Sequence, residues 1–154
     1  MTPWPLVAHA AVTWALVGLI WTIHVVHYPM FAHVGDAFER VHERHMRAIT
    51  PVVGPLMLVE LATAAWLWAA PPAGTSRTTW AVGLGLVGLV WALTGLFAVP
   101  AHSKLESSGF DASAHRLLMR ADLARTLVWT ARGVLVAWVL VRLLGGGATG
   151  ADGA

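Results

Sequence analysis

Five of the eight histidines in this chain lie between His24 and His45. His24 and His27 are three residues apart, and so are His42 and His45, so that in a helix each pair presents both imidazoles on one side. A metal ion that takes two ligands from a single helix requires this spacing. We therefore predict a metal site that combines the two histidine pairs with Glu60, a carboxylate that follows in an apolar segment.

The second half of the chain offers further ligands for the same site. His102 and His115 are expected to complete or support it. A carboxylate such as Asp122 or Asp36 would accept a hydrogen bond from a ligand imidazole and fix its tautomer. Imidazole suits iron and copper, which we expect if the site carries out redox chemistry. The run H-E-R-H differs from H-E-x-x-H, so a zinc protease is excluded.

Charged residues in the apolar segments form a second candidate group. Glu60 and Arg132 fall at similar depths, and we predict that they form a buried ion pair, because an unpaired buried charge would be less stable. Arg125 and Arg132 are alternatively suited to bind an anionic group, such as a haem propionate or the head of a quinone-like substrate. Tyr28, one turn beyond His24, is either a relay for protons or radicals or an interfacial anchor. The candidate catalytic residues are therefore Glu60, Tyr28 and Arg132, and the candidate cofactor-binding residues are Arg125 and Arg132.

The composition indicates which kind of element must position these residues. Of the 154 residues, 57% are hydrophobic and 12% are charged, and the mean hydropathy is +0.66. Soluble domains carry about twice this charged fraction, so the class is integral membrane protein. Cysteine is absent, which excludes disulfides, thiolate nucleophiles and cysteine-ligated clusters. The formal net charge is only +2, and no nucleic-acid partner is expected.

Four apolar segments are long enough to cross a bilayer as helices, which takes about 20 residues each. They are residues 5–28, 51–70, 79–99 and 123–144. Prolines at 29, 71–72 and 100 are predicted to kink or end the first three helices. No Lys or Arg precedes the first segment, so we expect it to remain as a spanning helix and not to act as a signal peptide. Residues 1–144 would form one all-α domain, a four-helix transmembrane bundle, and residues 145–154 a disordered tail.

Two connectors are too polar to cross the bilayer. Residues 36–50 and 111–121 are predicted to be amphipathic helices at the interface, with Asp111 as the N-cap of the second. Most basic residues lie in or beside them, so the positive-inside rule places both connectors in the cytoplasm and both termini outside a bacterial-type cytoplasmic membrane. Both connectors contain His-x-x-x-Met-Arg, at residues 42–47 and 115–120. This pattern predicts two pseudo-repeated units of span, interfacial helix and span.

Short motifs at three of the helix ends support a family resemblance. Pro29 ends the first span, Met46-Arg47 opens the second, and residues 120–127 read Arg-x-x-x-x-Arg-Thr-Leu at the start of the fourth. In these motifs the chain resembles the anthrone oxygenase-like family of small bacterial and fungal four-helix membrane proteins. The resemblance covers most of the chain and implies oxygenation of a hydrophobic, aromatic substrate within the membrane. The chain differs from the family in Asp122, where the family tends to have Asn, and in its dense set of histidines.

Three functions are compatible with these features. The first is a membrane-embedded, metal-dependent oxidoreductase, oxygenase-like, that acts on a lipophilic substrate through a His/Glu site near the cytoplasmic side and uses iron or copper. The second is a b-type haem protein for electron transfer or porphyrin oxidation, with two axial histidines from different spans. The third is a small transporter or assembly subunit in which His and Glu relay protons or metal ions, and this function would need a homo-oligomer. The lipid bilayer, a lipophilic small molecule and a redox partner are the expected partners.

Overall fold

The computed structural model describes residues 4–148, and 92% of these residues are helical, with no strand among them. They form four long helical elements, α1 to α4, which confirms the predicted all-α class and the number of helices. Each element is long and apolar enough to cross a membrane. The predicted disordered tail lies outside the described residues from 149 onwards, and residues 145–148 belong to the last helix.

The first element, α1, does not end at Pro29. It consists of an α-helix over Trp4–Thr22, a π turn over Ile23–His27, a short α-helical turn over Tyr28–Met30 and a 3-10 turn over Phe31–His33. The N–H of Tyr28 donates to the carbonyl of Ile23, five residues back. This wide turn makes room for the proline ring, which would otherwise press on the carbonyl four residues before it. The first span was predicted to kink or end at Pro29. It instead widens into a π turn before Pro29 and continues to His33.

The third element, α3, also contains a π turn directly before an X-Pro pair. Its α-helix over Arg77–Leu93 passes into a π turn over Thr94–Ala98 and continues as an α-helix over Val99–Ser108. The N–H of Val99 donates to the carbonyl of Thr94, directly before Pro100. The prediction that Pro100 stops this helix was wrong, and the ten residues of the last α-helical part carry His102 into the bundle.

The two predicted connectors are not separate interfacial helices. A 3-10 turn over Gly35–Ala37 leads into α2, one helix of 32 residues over Phe38–Ala69 that includes Pro51 and Pro55. The fourth element, α4, is one helix over Ala112–Ala148. Each polar connector is the first part of the helix that follows it, because its buried apolar face continues in register with the apolar face of the span.

Prolines, capping side chains and glycines set the ends of the helices. Pro71 and Pro72 follow the end of α2, as predicted, and Ser76 caps α3 by accepting a hydrogen bond from Thr79 N at 3.1 Å. Asp111 caps α4, as predicted, by accepting from Ala114 N at 2.7 Å. Hydrogen bonds from Ser113 and Ala114 and the nearby Lys104 lower the pKa of Asp111 to about 2, so the cap is ionised at neutral pH. The three connections contain glycines with φ between 60° and 81°, which favours Gly there.

The four elements form a ring in which α1 and α3 each pack against α2 and α4. The core has three layers along the bundle. The layer next to the α1–α2 and α3–α4 connections includes Tyr28, Phe31 and Leu105, the middle layer includes Leu16, Met57 and Trp129, and the last layer includes Leu67, Trp80 and Val139. Large apolar side chains such as Leu96 and Val141, each 69% exposed, point outward. The functional residues lie between and within these layers.

Candidate functional site

Three buried side chains from three helices form a hydrogen-bonded chain. The hydroxyl of Tyr28 on α1 lies 3.0 Å from His102 Nε2 on α3, and His102 Nδ1 lies 3.0 Å from His42 Nε2 on α2. A neutral imidazole carries one N–H proton, so His102 donates one of its two hydrogen bonds and accepts the other. Both hydrogen bonds of the chain therefore run in the same direction. In one direction Tyr28 donates to His102 and His102 donates to His42, and in the other direction both links are reversed. This arrangement can relay a proton.

Two further histidines stack on this chain. The His45 ring lies 5.9 Å from the His102 ring, with an interplanar angle of 28°, and 4.4 Å from the His27 ring, with an angle of 31°. The Nε2 atoms of His27 and His45 are buried without a hydrogen-bond partner. We call Tyr28, His27, His42, His45 and His102 the histidine cluster.

The histidine cluster does not provide a ready metal site. Both ring nitrogens of His102 are engaged in hydrogen bonds, so neither is free to bind an ion as the side chains stand. Within residues 4–148, no three His, Asp or Glu side chains are placed to hold an ion. Glu60 lies 15 residues from His45 on the continuous α2 helix, which is about 22 Å along its axis. Glu60 and His45 therefore do not bind the same ion, and Glu60 could belong only to a second site among the one or two ions that the sequence allowed.

His24 belongs to a different network. Its Nδ1 lies 3.0 Å from Asp122 Oδ2, and Arg125 Nη2 donates to Asp122 Oδ1 at 2.8 Å. This confirms that Asp122 orients an imidazole. His24 and His27 were predicted to share one face of the helix. They do not, because both lie in the π turn, where more residues make up each turn. Arg125 is only 6% exposed, so it is a core residue and not a marker of membrane topology.

His115 has a supporting role for Tyr28. Its Nε2 lies 2.9 Å from the backbone carbonyl of Tyr28. This contact joins α4 to α1 immediately before Pro29 and helps to fix the position of the tyrosine ring. Asp36 and His33 stay outside the cluster, since Asp36 is exposed and His33 bonds only to the Pro29 carbonyl.

The predicted pair of Glu60 and Arg132 is confirmed. Arg132 Nε donates to Glu60 Oε1 at 3.0 Å, and each side chain is 1% exposed. Trp129 Nε1 donates to Glu60 Oε2 at 3.0 Å, Thr13 donates to Oε1 at 3.1 Å, and Arg132 also donates to the Gly83 carbonyl. The carboxylate is therefore fully paired, as a structural ion pair requires.

Sequence reasoning missed the other members of this Glu60 network. His9 Nδ1 lies 2.8 Å from the Thr63 hydroxyl, and His9 Nε2 lies 3.4 Å from Arg132 Nη2. His9 and Thr13 are one turn apart in an apolar segment, and polar residues at this spacing normally face the interior of a bundle. This spacing could have placed both side chains inside the bundle from the sequence alone. The partners of His9 could not be predicted in the same way, because they come from α2 and α4, far away in the sequence.

A central cavity lies between the four helices and separates the two networks. Its volume is about 260 Å³, and most of its lining is apolar. Tyr28, His102 and Arg125 line it in the layer next to the connections, and Trp129 lines it next to the Glu60 network. Arg125 Nη1 lies 3.5 Å from the Thr94 hydroxyl, but its Nε is a buried donor without a partner. The cavity thus combines apolar walls, one free buried donor and a proton relay.

Comparison with known proteins finds no family model, curated protein or solved structure that matches this chain. The geometry of the site is therefore the basis for the functional proposal.

Proposed function

We propose that this protein is a membrane-embedded enzyme that binds a lipophilic aromatic molecule in the central cavity and takes a proton from it while dioxygen, as co-substrate, accepts the electrons of its oxidation. The observation that carries the proposal is the position of the cavity. An apolar space of about 260 Å³ opens directly onto Arg125 and onto the Tyr28–His102 hydrogen bond. Ligand sites commonly have apolar walls with a few convergent polar groups.

Arg125 would bind an oxygen atom of the ligand. Asp122 accepts a hydrogen bond from Nη2 at 2.8 Å, and Nη1 makes only a long contact of 3.5 Å with the Thr94 hydroxyl. A ligand oxygen with partial or full negative charge would take a closer hydrogen bond from the guanidinium that lines the cavity. In an apolar cavity such an interaction stabilises developing negative charge more strongly than it does in water.

The Tyr28–His102–His42 chain would move the proton. A ligand hydroxyl or acidic C–H group held by Arg125 would lie near the Tyr28 oxygen, because both side chains line the same cavity. As Tyr28 takes the ligand proton, its own phenolic proton would pass to His102 Nε2 and the Nδ1 proton of His102 would pass to His42 Nε2, so that each group keeps a single proton until the last transfer leaves His42 protonated. The resemblance to the anthrone oxygenase-like family implies oxygenation of a hydrophobic aromatic substrate, and an apolar cavity supports that class of reaction.

A cofactor would need side chains of the histidine cluster to rearrange. Within residues 4–148 no three His, Asp or Glu side chains are placed to hold an iron or copper ion, and His42 and His102, which lie 3.0 Å apart, would have to separate to take opposite faces of a haem. The proposed proton transfer needs only the side chains of this chain.

We also propose that the four helices span a cytoplasmic membrane as two repeated units. The exposed apolar side chains support insertion, because a soluble surface rarely carries so many. The two π turns support the repeat, since each ends directly before an X-Pro pair, at Pro29 in the first unit and at Pro100 in the second.

Substitution of Gly54 by Leu tests the binding site. Gly54 lines the central cavity, and a Cβ atom there meets no atom within 4 Å. A leucine would therefore occupy cavity space without meeting another helix, but its Cβ atom would press on the ring of Pro55, which follows it. We expect Gly54→Leu to fold with somewhat lower thermal stability and to weaken binding of 2-hydroxy-1,4-naphthoquinone by about tenfold or more, because a filled cavity excludes the ligand. Calorimetry in lipid nanodiscs measures the affinity.

Gly88→Leu is the matched control. Gly88 also has open space around it but is exposed and does not line the cavity. Its substitution should leave the affinity unchanged. Equal affinity in wild type and Gly54→Leu, or no binding by wild type, would overturn the proposal.

A further inference from the structure

A second space lies on the outside of the bundle, between α1 and α2. It measures about 440 Å³, and we call it the α1–α2 groove. Thr22 and Ala48 are exposed at its margin, so the groove opens to the surroundings of the bundle. In a membrane these surroundings are lipid.

Only a thin wall separates the groove from the central cavity. Leu19, Ile23 and Ile49 line both spaces. Leu19 and Ile49 are partly exposed and pack at the edge of the core layer that contains Ile23. Rotation of such side chains on the nanosecond scale can open a path through a wall one side chain thick.

The groove also has its own polar groups. Arg44, His27 and His45 line it, and the Nε2 atoms of both histidines are buried without partners. Both Nε2 atoms are enclosed by the protein, so a ligand in the groove does not reach them as the side chains stand. A ligand that brings an acidic oxygen would be attracted by the positive charge of Arg44, which is exposed beside the two histidines.

We propose that the α1–α2 groove is a docking site and lateral portal. A lipophilic molecule with an acidic hydroxyl or carboxyl group enters from the bilayer, contacts Arg44 with its acidic group beside His27 and His45, and passes Ile49 into the central cavity. This inference rests on the proposed function of the cavity. It assigns to Arg44 the recognition of substrate, a role separate from proton relay by His102.

Substitution of Ala48 by Trp tests the portal. Ala48 lines the groove but not the cavity, so an indole there blocks the groove and leaves the final site intact. The control is Ala11→Trp, because Ala11 is exposed and lines a different outward groove between the same two helices. Binding of 2-hydroxy-1,4-naphthoquinone to protein in phosphatidylcholine nanodiscs is followed by stopped-flow tryptophan quenching. The relevant signal is the part that is lost in Trp91→Phe, since Trp91 lines the cavity.

A blocked portal slows association and dissociation by the same factor and leaves Kd unchanged. We expect both rates to fall by about tenfold in Ala48→Trp and to remain near wild type in Ala11→Trp. Wild-type rates in Ala48→Trp with normal Kd would overturn the portal and leave the cavity proposal standing. Failure of wild type to bind would instead overturn the cavity proposal.

A second pair of variants tests the charge of the groove. Arg44→Gln should slow association of 2-hydroxy-1,4-naphthoquinone severalfold and leave neutral 1,4-naphthoquinone unaffected. Arg40→Gln, an exposed arginine one turn away that does not line the groove, should leave both rates unchanged. Equal effects of the two variants would show that only the general charge of the surface matters and would overturn the role of Arg44.

Discussion

Both oxygens of the Glu60 carboxylate accept hydrogen bonds from buried donors. Arg132 and Thr13 donate to one oxygen and Trp129 to the other. A carboxylate with these partners is suited to hold α1, α2 and α4 together, and it lies across the cavity from the Tyr28–His102 pair that we propose as the proton relay. Its candidate catalytic role is therefore less well supported than that of Tyr28.

Arg132→Leu should destabilise the protein strongly, because it leaves Glu60 charged and unpaired in the interior. Loss of one partner of a buried ion pair typically costs about 3–5 kcal/mol. The double variant Glu60→Gln/Arg132→Leu removes both charges and should recover most of this loss. Thermal unfolding in detergent, followed by circular dichroism, measures both variants. No recovery in the double variant would show that the pair is not the main contribution of these residues.

Tyr28→Phe separates binding from proton transfer. The ring keeps its contacts with Phe31 and His45, but the relay loses the oxygen atom next to the ligand. We expect naphthoquinone affinity within about threefold of wild type and a loss of about tenfold or more in oxygen uptake with anthrone as the test substrate. Leu127→Phe on the exposed face of α4 serves as the control. Unchanged turnover in Tyr28→Phe would remove the tyrosine from the mechanism.

For individual residues, the sequence predicted which charged side chains form a pair better than it predicted the contacts of the histidines. Glu60 and Arg132 are the charged residues at their depth, so a pair was the favoured arrangement. His102 was predicted to complete or support a metal site, and Pro100 was expected to end the helix before it. The π turn that prevents this depends on the packing of the bundle, and a local pattern does not reveal it.

At the scale of elements, the apolar segments predicted the four helices, and the predicted boundaries were wrong where tertiary contacts extend a helix. Pro51 and Pro55 lie inside α2, although proline in a helix interior is unfavourable. The polar part of α2 before them carries Phe38, His42 and His45 into the core. Their burial favours continuation of the helix over an interfacial orientation.

At the scale of the molecule, the two short connections that follow α1 and α3 lie at one end of the bundle with the histidine cluster. The composition predicted membrane insertion, but the cavity between the helices has no signature in a single sequence. Small residues such as Gly54 and Ala98 line it, and the same residue types occur wherever helices approach closely.

The proposed orientation of the bundle in the membrane predicts which of its ends a thiol reagent can reach from outside the cell. The chain contains no cysteine, so Ala73→Cys in the α2–α3 connection and Ser108→Cys at the end of α3 each introduce a single thiol. Both positions are exposed. We expect a membrane-impermeant maleimide to label Ala73→Cys in intact cells and Ser108→Cys only after permeabilisation, because the basic end should stay in the cytoplasm. The opposite labelling pattern would reverse the orientation.

The two π turns have a consequence for how such a protein can change over time. A π turn holds one residue more than the corresponding stretch of α-helix, so it is the structural equivalent of a single-residue insertion. Loss of one residue between Thr94 and Ala98 would therefore restore a regular helix and keep the residues that follow at nearly their present orientation, whereas loss of one residue from a regular α-helix would rotate them by about 100°. His102 would stay at the histidine cluster after a deletion in the π turn and leave it after a deletion within Arg77–Leu93. The π turns are thus the places where the chain can lose a residue and keep the cluster assembled.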